Sequence, residues 1–302
     1  VCLLVCACVC VSVCLSVICR KMVLPSSGLL IFLSLTAVEA AIPSRRVEVF
    51  PAPRADALDA QLGLFQRSLG SHVDAVFFDI DETLVMPAAP FIYGLPRTDM
   101  FVKAFTQTCT GQTWQRISDE LGRLYYSSPH FLVSPTLPSM LAKMQAAGVH
   151  VVALTSRSAA ENGTSDLLGD LQRLGLSLSS AWFEGPLKPD GAVARNTSVG
   201  AVIFGNSQNK GDIIASYVEH APGKNASSTV LVDNTHSKCK AAAEALLNAT
   251  FIHRSIHYTE AYNLDGQHDD MDFWMRTVKT GLSIPEAECP LPTGTPVLDL
   301  YV

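Results

Sequence analysis

The chain has few clustered basic residues. Beyond its first forty positions it also has little cysteine and no apolar run long enough to span a bilayer. The formal charge of −6 argues against a nucleic-acid surface, whose affinity depends on neutralising backbone phosphates. A small substrate is the better expectation. Six of the nine cysteines, at 2, 6, 8, 10, 14 and 19, lie in the leader. The other three, Cys109, Cys239 and Cys289, match no zinc-ligand spacing and permit either one disulfide with one free thiol or three isolated cysteines. With the spanning stretches confined to the leader, the mature chain is expected to form no stable membrane association.

The leader has two parts. Residues 1–19 are a Val/Cys near-repeat without an initiating Met, followed by Arg20 and Lys21. A simple dinucleotide repeat would encode such alternation, so 1–21 reads as mistranslated upstream sequence, with an extra hydrophobic, membrane-spanning segment as the alternative. Met22 opens a second apolar run, and Val38 and Ala40 stand as the small residues before a cleavage site. Residues 22–40 are therefore expected to be a signal peptide, and the destination secretion or the secretory-pathway or vacuolar lumen. Four triplets, beginning at Asn162, Asn196, Asn225 and Asn248, are candidate glycosylation acceptors that fit this route.

The remaining residues, about 260, suffice for one sizeable core with an inserted subdomain. Val76, Phe77 and Phe78 form an apolar, β-favouring run of the kind covered on both faces, and it delivers Asp79 and Asp81 at its carboxyl end. Buried carboxylates need a partner or a cation, because an unpaired charge in a dry interior is costly. A second strand over 151–154 ends in Thr155-Ser156-Arg157, where a hydroxyl and a forked guanidinium suit phosphate oxygens. A third, 199–204, leads to Lys210 at a helix start, and a fourth, 228–232, ends in Asp233-Asn234. A strand fragment is expected over 177–183 and a last strand over 250–254. Apolar spacing predicts helices over 56–69, 137–146, 165–174 and 239–247. The pattern describes an α/β fold with a doubly wound, mostly parallel sheet, whose ligands gather outside the strands' carboxyl ends. Residues 41–85 and 134–281 are assigned to this core, 86–133 to a small helical cap and 282–302 to an extended tail. In the cap, Tyr93, Trp114, Tyr125 and Tyr126 are either pocket-lining or, more ordinarily, core.

The stretches FFDIDETL and VVALTSR resemble the haloacid dehalogenase-like hydrolase superfamily, in particular its secreted or periplasmic acid phosphatases, over about 74–256. The resemblance implies a Mg²⁺-dependent phosphomonoester hydrolase acting on a small phosphorylated substrate. It casts Asp79 as the nucleophile that forms an aspartyl-phosphate, Asp81 as general acid and base, and Thr83 as the residue ordering their loop. It implies that Thr155, Ser156, Arg157 and Lys210 hold phosphate, and that Asp79, the backbone carbonyl of Asp81, Asp233 and Asn234 hold Mg²⁺. The chain departs from the pattern at Asn234-Thr235-His236, where many members carry a second carboxylate, so weaker Mg²⁺ binding is expected. Two other readings stay open: a secreted glycoprotein that keeps the fold for binding or storage, and a phosphotransferase. From about His253 onward, His253, His257, Tyr258, Tyr262, His268, Asp269, Asp270 and Asp272 read as a surface segment, with contact to the site or to a second metal as the alternative.

Overall fold

A computed structural model describes residues 4–11, 14–21, 47–87, 95–109, 111–157, 164–182, 185–186, 197–199, 201–221, 226–263 and 271–290. The chain divides into a first unit, 1–44, and a main unit, 45–302. In the first unit, the Val/Cys near-repeat forms an antiparallel pair, β1 (Leu4–Val11) and β2 (Cys14–Lys21), in register from Leu4↔Lys21 to Val11↔Cys14. β-Branched valine favours this conformation. Among the described residues no helix is long and apolar enough to cross a membrane. The expected signal peptide, and Tyr93, Asn162, Asn196, Asn225, His268, Asp269 and Asp270, lie outside the described residues, whereas Asn248 is exposed on the surface.

The main unit runs β3 (Val49–Ala52), α1 (Ala55–Leu69), β4 (Ala75–Phe78), β5 (Val85–Pro87), α2 (Leu95–Thr108), α3 (Trp114–Ser127), β6 (His130–Leu132), α4 (Leu137–Ala146) and β7 (His150–Thr155). It continues with α5 (Thr164–Arg173), β8 (Gly185–Pro186), β9 (Thr197–Val199), β10 (Val202–Phe204), α6 (Lys210–His220), β11 (Ser228–Asp233), α7 (His236–Ala245), β12 (Ile252–Tyr258), α8 (Glu260–Asn263) and α9 (Met271–Gly281). The main sheet has the order β3-β12-β11-β4-β7-β10-β9-β8. From β3 to β10 all neighbours are parallel, while β9 and β8 add an antiparallel edge.

Alternation along the strands sorts side chains to two faces. Val76, Phe78, Val151, Ala153, Val230 and Val232 pack with the apolar stripes of α1, α4 and α5. Their neighbours Ala75, Phe77, Val152, Leu154 and Leu231 pack with α6 and α7. Both faces are therefore covered, as the continuous apolar strand sequences require. The chain winds outward from β4 through β7 to β10, then crosses to place β11 on the other side of β4. This reversal opens a crevice between the carboxyl ends of β4 and β11.

Three expectations are corrected at the edges. Residues 199–204 are not one strand: β9 and β10 pair antiparallel from Val202↔Val199 to Phe204↔Thr197, so the chain reverses between them. Residues 177–182 form no strand, although the Ser179 amide donates to the Val151 carbonyl at 2.7 Å and the segment lies along β7. The last strand extends to Tyr258, because its register against β11 continues to Asp233↔His257.

The cap is set off by a two-stranded stem in which β5 pairs antiparallel with β6, from Val85↔Leu132 to Pro87↔His130. Its core joins Phe101, Val102 and Phe105 of α2 with Ile117 and Leu121 of α3, and it recruits Met275 and Val278 of α9 and Ile284. Residues 271–290 thus pack with the cap, where the sequence reading divided them between the sheet domain and an extended tail. A Cys109–Cys289 disulfide fastens this end to α2, leaving Cys239 as a buried free thiol.

Candidate active site

Asp79 follows β4 directly and is buried, and its amide donates to the Val232 carbonyl at 2.8 Å, which pins it beside β11. The next residues turn sharply: the Leu84 and Val85 amides both donate to the Ile80 carbonyl, at 2.9 and 3.0 Å. Glu82 sits in the turn at φ +59°, an unusual conformation for a residue with a Cβ and one that concentrates at functional sites. Thr83 links the two strand ends, its Oγ1 accepting from the Asn234 amide at 3.0 Å.

Lys210 is the first residue of α6, held there by Asn209, whose side chain caps the helix by accepting from the Gly211 amide at 2.8 Å. Its buried ammonium lies 2.6 Å from Asp79 Oδ1 and 2.6 Å from Asp233 Oδ2. Asp233 Oδ1 accepts from the Thr235 amide at 2.7 Å. Burial, then the neighbouring Asp233, pushes the Asp79 carboxyl up to about 6, against the pull of Lys210 and Lys238. Burial opposes the charge of Lys210, but Asp233 and Asp79 outweigh it and raise its proton affinity. The ammonium therefore bridges the two carboxylates in this structure.

Thr155 ends β7, next to β4 in the sheet, and its Oγ1 accepts from the Arg157 amide at 3.1 Å. The loop before α6 clamps this turn, since the amides of Asn206 and Ser207 donate to the carbonyls of Arg157 and Ser156 at 3.0 and 2.8 Å. Arg157 reaches back across the site as a fork on Asp81, with Nε to Oδ2 at 3.0 Å and Nη2 to Oδ1 at 2.5 Å. The residue expected to hold phosphate and the residue expected to move protons are thus paired with each other.

Glu82 was not anticipated, and His257 and Tyr262 stood only as the alternative to a surface segment. Buried Glu82 accepts from Asn234 Nδ2 at 2.8 Å through Oε2, so a carboxylate stands behind Asn234. The Asn234 carbonyl accepts from the Tyr262 hydroxyl at 3.0 Å and lies 2.9 Å from His257 Nε2. Two members of the polar run after β11 therefore support the site, whereas His253 turns away, with Thr229 Oγ1 and Ser255 Oγ at 2.8 and 3.0 Å from its ring nitrogens. Wide spacing in sequence concealed both roles. Parallel pairing of β12 with β11 is what brings His257 beside Asp233.

For a metal ion, the donor chemistry fits a hard cation. Asp79 and Asp233 supply carboxylate oxygens within one crevice, and Mg²⁺ commonly takes one or two carboxylates while keeping several waters. No group of three or more His, Cys, Asp or Glu side chains is gathered as a metal cage among the described residues. Asn234 shares its side-chain oxygen with Thr235 Oγ1 at 3.3 Å and turns its nitrogen to Glu82.

The fold and site together define a doubly wound α/β protein with an acidic, lysine-bridged centre at the switch between β4 and β11. The chain belongs to the family described as Protein of unknown function (DUF2608), whose model matches residues 72–270. Among curated proteins none matches. A crystal structure from Thermotoga maritima, assigned as a beta-phosphoglucomutase, is similar with a TM-score of 0.36 and 14% identity, covering 64% of this chain and 98% of that one.

Proposed function

We propose that the chain is a phosphomonoester hydrolase of the haloacid dehalogenase-like type. The carrying observation is the buried Asp79, placed by β4 at the switch crevice with the Lys210 ammonium 2.6 Å from both it and Asp233. An anionic nucleophile facing an anionic phosphate needs fixed positive charge nearby. Lys210 supplies it, and Asp79 and Asp233 would hold Mg²⁺, which would contribute Lewis-acid neutralisation of the phosphoryl oxygens.

Asp79 attacks phosphorus as the ester P–O bond breaks, forming an aspartyl-phosphate. Asp81 delivers a proton to the departing alcohol oxygen, then takes one from the water that attacks phosphorus, restoring Asp79 and releasing phosphate. Both Asp81 oxygens are acceptors from Arg157 in the structure, so proton delivery requires that pair to open. A phosphate dianion is a competing partner for the guanidinium fork. Thr155, whose hydroxyl closes the turn at the neighbouring strand end, and Ser156 would complete the phosphate cradle.

Secretion and glycosylation at Asn248 belong to this proposal, and the Cys109–Cys289 bond supports an oxidising compartment. The closed Arg157–Asp81 fork favours a second reading, a binding protein with little turnover. Phosphate release from a phosphomonoester panel, with Mg²⁺ and with chelator, separates the two. The hydrolase reading expects metal-dependent release that Asp79→Asn abolishes. A folded chain that binds phosphate esters without releasing phosphate would establish the second reading instead.

A further inference from the structure

The contact between Arg157 and Asp81 is built from both ends. On one side the Arg157 amide donates to Thr155 Oγ1 at 3.1 Å. The loop before α6 presses on that turn: the amides of Gly205, Asn206 and Ser207 donate to the carbonyls of Thr155, Arg157 and Ser156 at 2.7, 3.0 and 2.8 Å. A Cβ on Gly205 would lie 2.9 Å from the Thr155 carbonyl oxygen, and Asn206 and Ser207 hold φ of +46° and +59°. Residues with a Cβ enter that region at a cost and gather there at functional sites. On the other side Asp81 bridges to Val85 in the turn after β4, and the amide of Glu82, itself at φ +59°, donates to the Val85 carbonyl at 2.8 Å. Two strained turns thus fix two backbones, leaving side-chain rotation as the way to part the pair.

Stability is a weak reason for such a mount. The two side chains are 12% and 22% exposed, and an ion pair withdrawn from water gains little net, because desolvation offsets its attraction. What the pair does set is the state of the empty site. The fork donates to both oxygens of Asp81, so both are turned to the guanidinium. A phosphoryl group matches that fork as well as a carboxylate does. The rivals differ in charge. Asp81 and a phosphodiester each bring one negative charge, whereas a monoester phosphoryl group brings about two.

We infer that the Arg157–Asp81 pair is a charge-selective latch: a phosphoryl group with two negative charges displaces Asp81 from the fork, and the same exchange returns Asp81 to proton transfer. The inference rests on the phosphomonoester reading for its ligand. It adds a selectivity, monoesters over diesters, and a coupling of substrate arrival to release of the acid. Arg157 is thereby a positioning residue for Asp81 as well as a contact for phosphate. Coupling between two partners of one site is reciprocal. If phosphate evicts Asp81, then Asp81 weakens phosphate binding.

The test is titration calorimetry on the full chain, above neutral pH and with Mg²⁺ present throughout, using inorganic phosphate and dimethyl phosphate as probes. The chains compared are the unsubstituted protein, Asp81→Asn, Arg157→Gln and the double variant. Arg157→Lys, which keeps the charge and loses the fork, replaces Arg157→Gln should thermal unfolding show the latter to be misfolded. Asp81→Asn is expected to bind phosphate about tenfold tighter, a gain that disappears without Arg157. Dimethyl phosphate is expected to bind the unsubstituted chain about tenfold more weakly than phosphate does. An equal gain with and without Arg157 would reveal general charge relief and overturn the latch, and equal affinity for the two probes would overturn its selectivity. Phosphate release from phenyl phosphate by the unsubstituted chain is measured alongside. Hydrolysis without the coupling would overturn the latch and leave the hydrolase reading standing, whereas the coupling without hydrolysis would overturn the hydrolase reading and leave the latch in a binding protein. Neither hydrolysis nor phosphate binding would overturn both.

Discussion

Asp81 and Arg157 are locked in a two-point contact, and this sets what their substitution should do. On the proposed hydrolase mechanism, replacing Asp81 by Asn removes proton delivery, which matters most when the departing alkoxide is a poor leaving group. Hydrolysis of an alkyl phosphate should fall by about 10²–10⁴, while p-nitrophenyl phosphate, whose phenolate leaves without a proton, should lose far less. Equal losses on both esters, measured as kcat, would remove Asp81 from the proton-transfer role. Asn234 carries a second prediction. Its amide nitrogen faces buried Glu82 Oε2 at 2.8 Å, so Asn234→Asp would set two carboxylates against each other where a donor now meets an acceptor. We expect a loss of about 2 kcal/mol in urea unfolding, the cost of a broken buried hydrogen bond to a charged group. Adding Glu82→Gln should recover part of it, and strict additivity in this cycle would show the pair to be uncoupled. The asparagine that looked like a missing acid is, at this scale, the partner that a neighbouring acid requires.

Lys210 depends on an element contact that its own sequence motif does not advertise. A Cβ on Gly211 would lie 2.8 Å from the Cα and carbonyl oxygen of Ala242 and 2.8 Å from the Ala245 Cβ. The glycine therefore serves the close approach of α6 to α7. Gly211→Ala should force the helices apart at a cost of about 1–3 kcal/mol, seen as a lower urea midpoint, and should shift the lysine that begins α6. An unchanged midpoint would mean that the helices separate freely. On β12, burial pushes the His253 imidazole down to about 3, although the residue as a whole is only half-buried. A histidine held neutral in the folded state is protonated first in the unfolded chain. Its contribution is therefore complete above the unfolded value near 6.5 and declines as pH falls from there toward about 3. His253→Gln should flatten the fall in melting temperature between about pH 6 and 4, and an identical pH profile would exclude this residue as a source of acid sensitivity.

For the whole molecule, what could be read from sequence follows the range of the forces involved. The interior strands ending at Asp79, Thr155 and Asp233 were legible because apolar runs and end residues are local signals. The Lys210 position was legible because a polar loop meets a helix start there. The β9–β10 reversal was not, since a short apolar run carries no mark of pairing direction. Nor was the destination of 271–290, because Met275, Val278, Ile284 and Cys289 find their partners on α2 and α3, more than 150 residues earlier in the chain. The Cys109–Cys289 bond spans 180 residues, a separation at which the chain-entropy account gives about 5 kcal/mol of stabilisation. It closes the cap, not the sheet: Lys279 Nζ donates to the Cys289 carbonyl at 2.6 Å, and Arg116 on α3 donates to the Leu282 carbonyl at 3.0 Å, so the crosslinked end is woven into the cap helices. Reduction, or Cys109→Ser with Cys289→Ser, should therefore loosen α2, α3 and α9 before it touches β4, β7 or β11. Amide hydrogen exchange is the measurement, since it reports opening element by element. Protection lost in the cap with the central strands unchanged would identify the cap as a separately stabilised unit, whereas equal loss in both would show that cap and sheet open together.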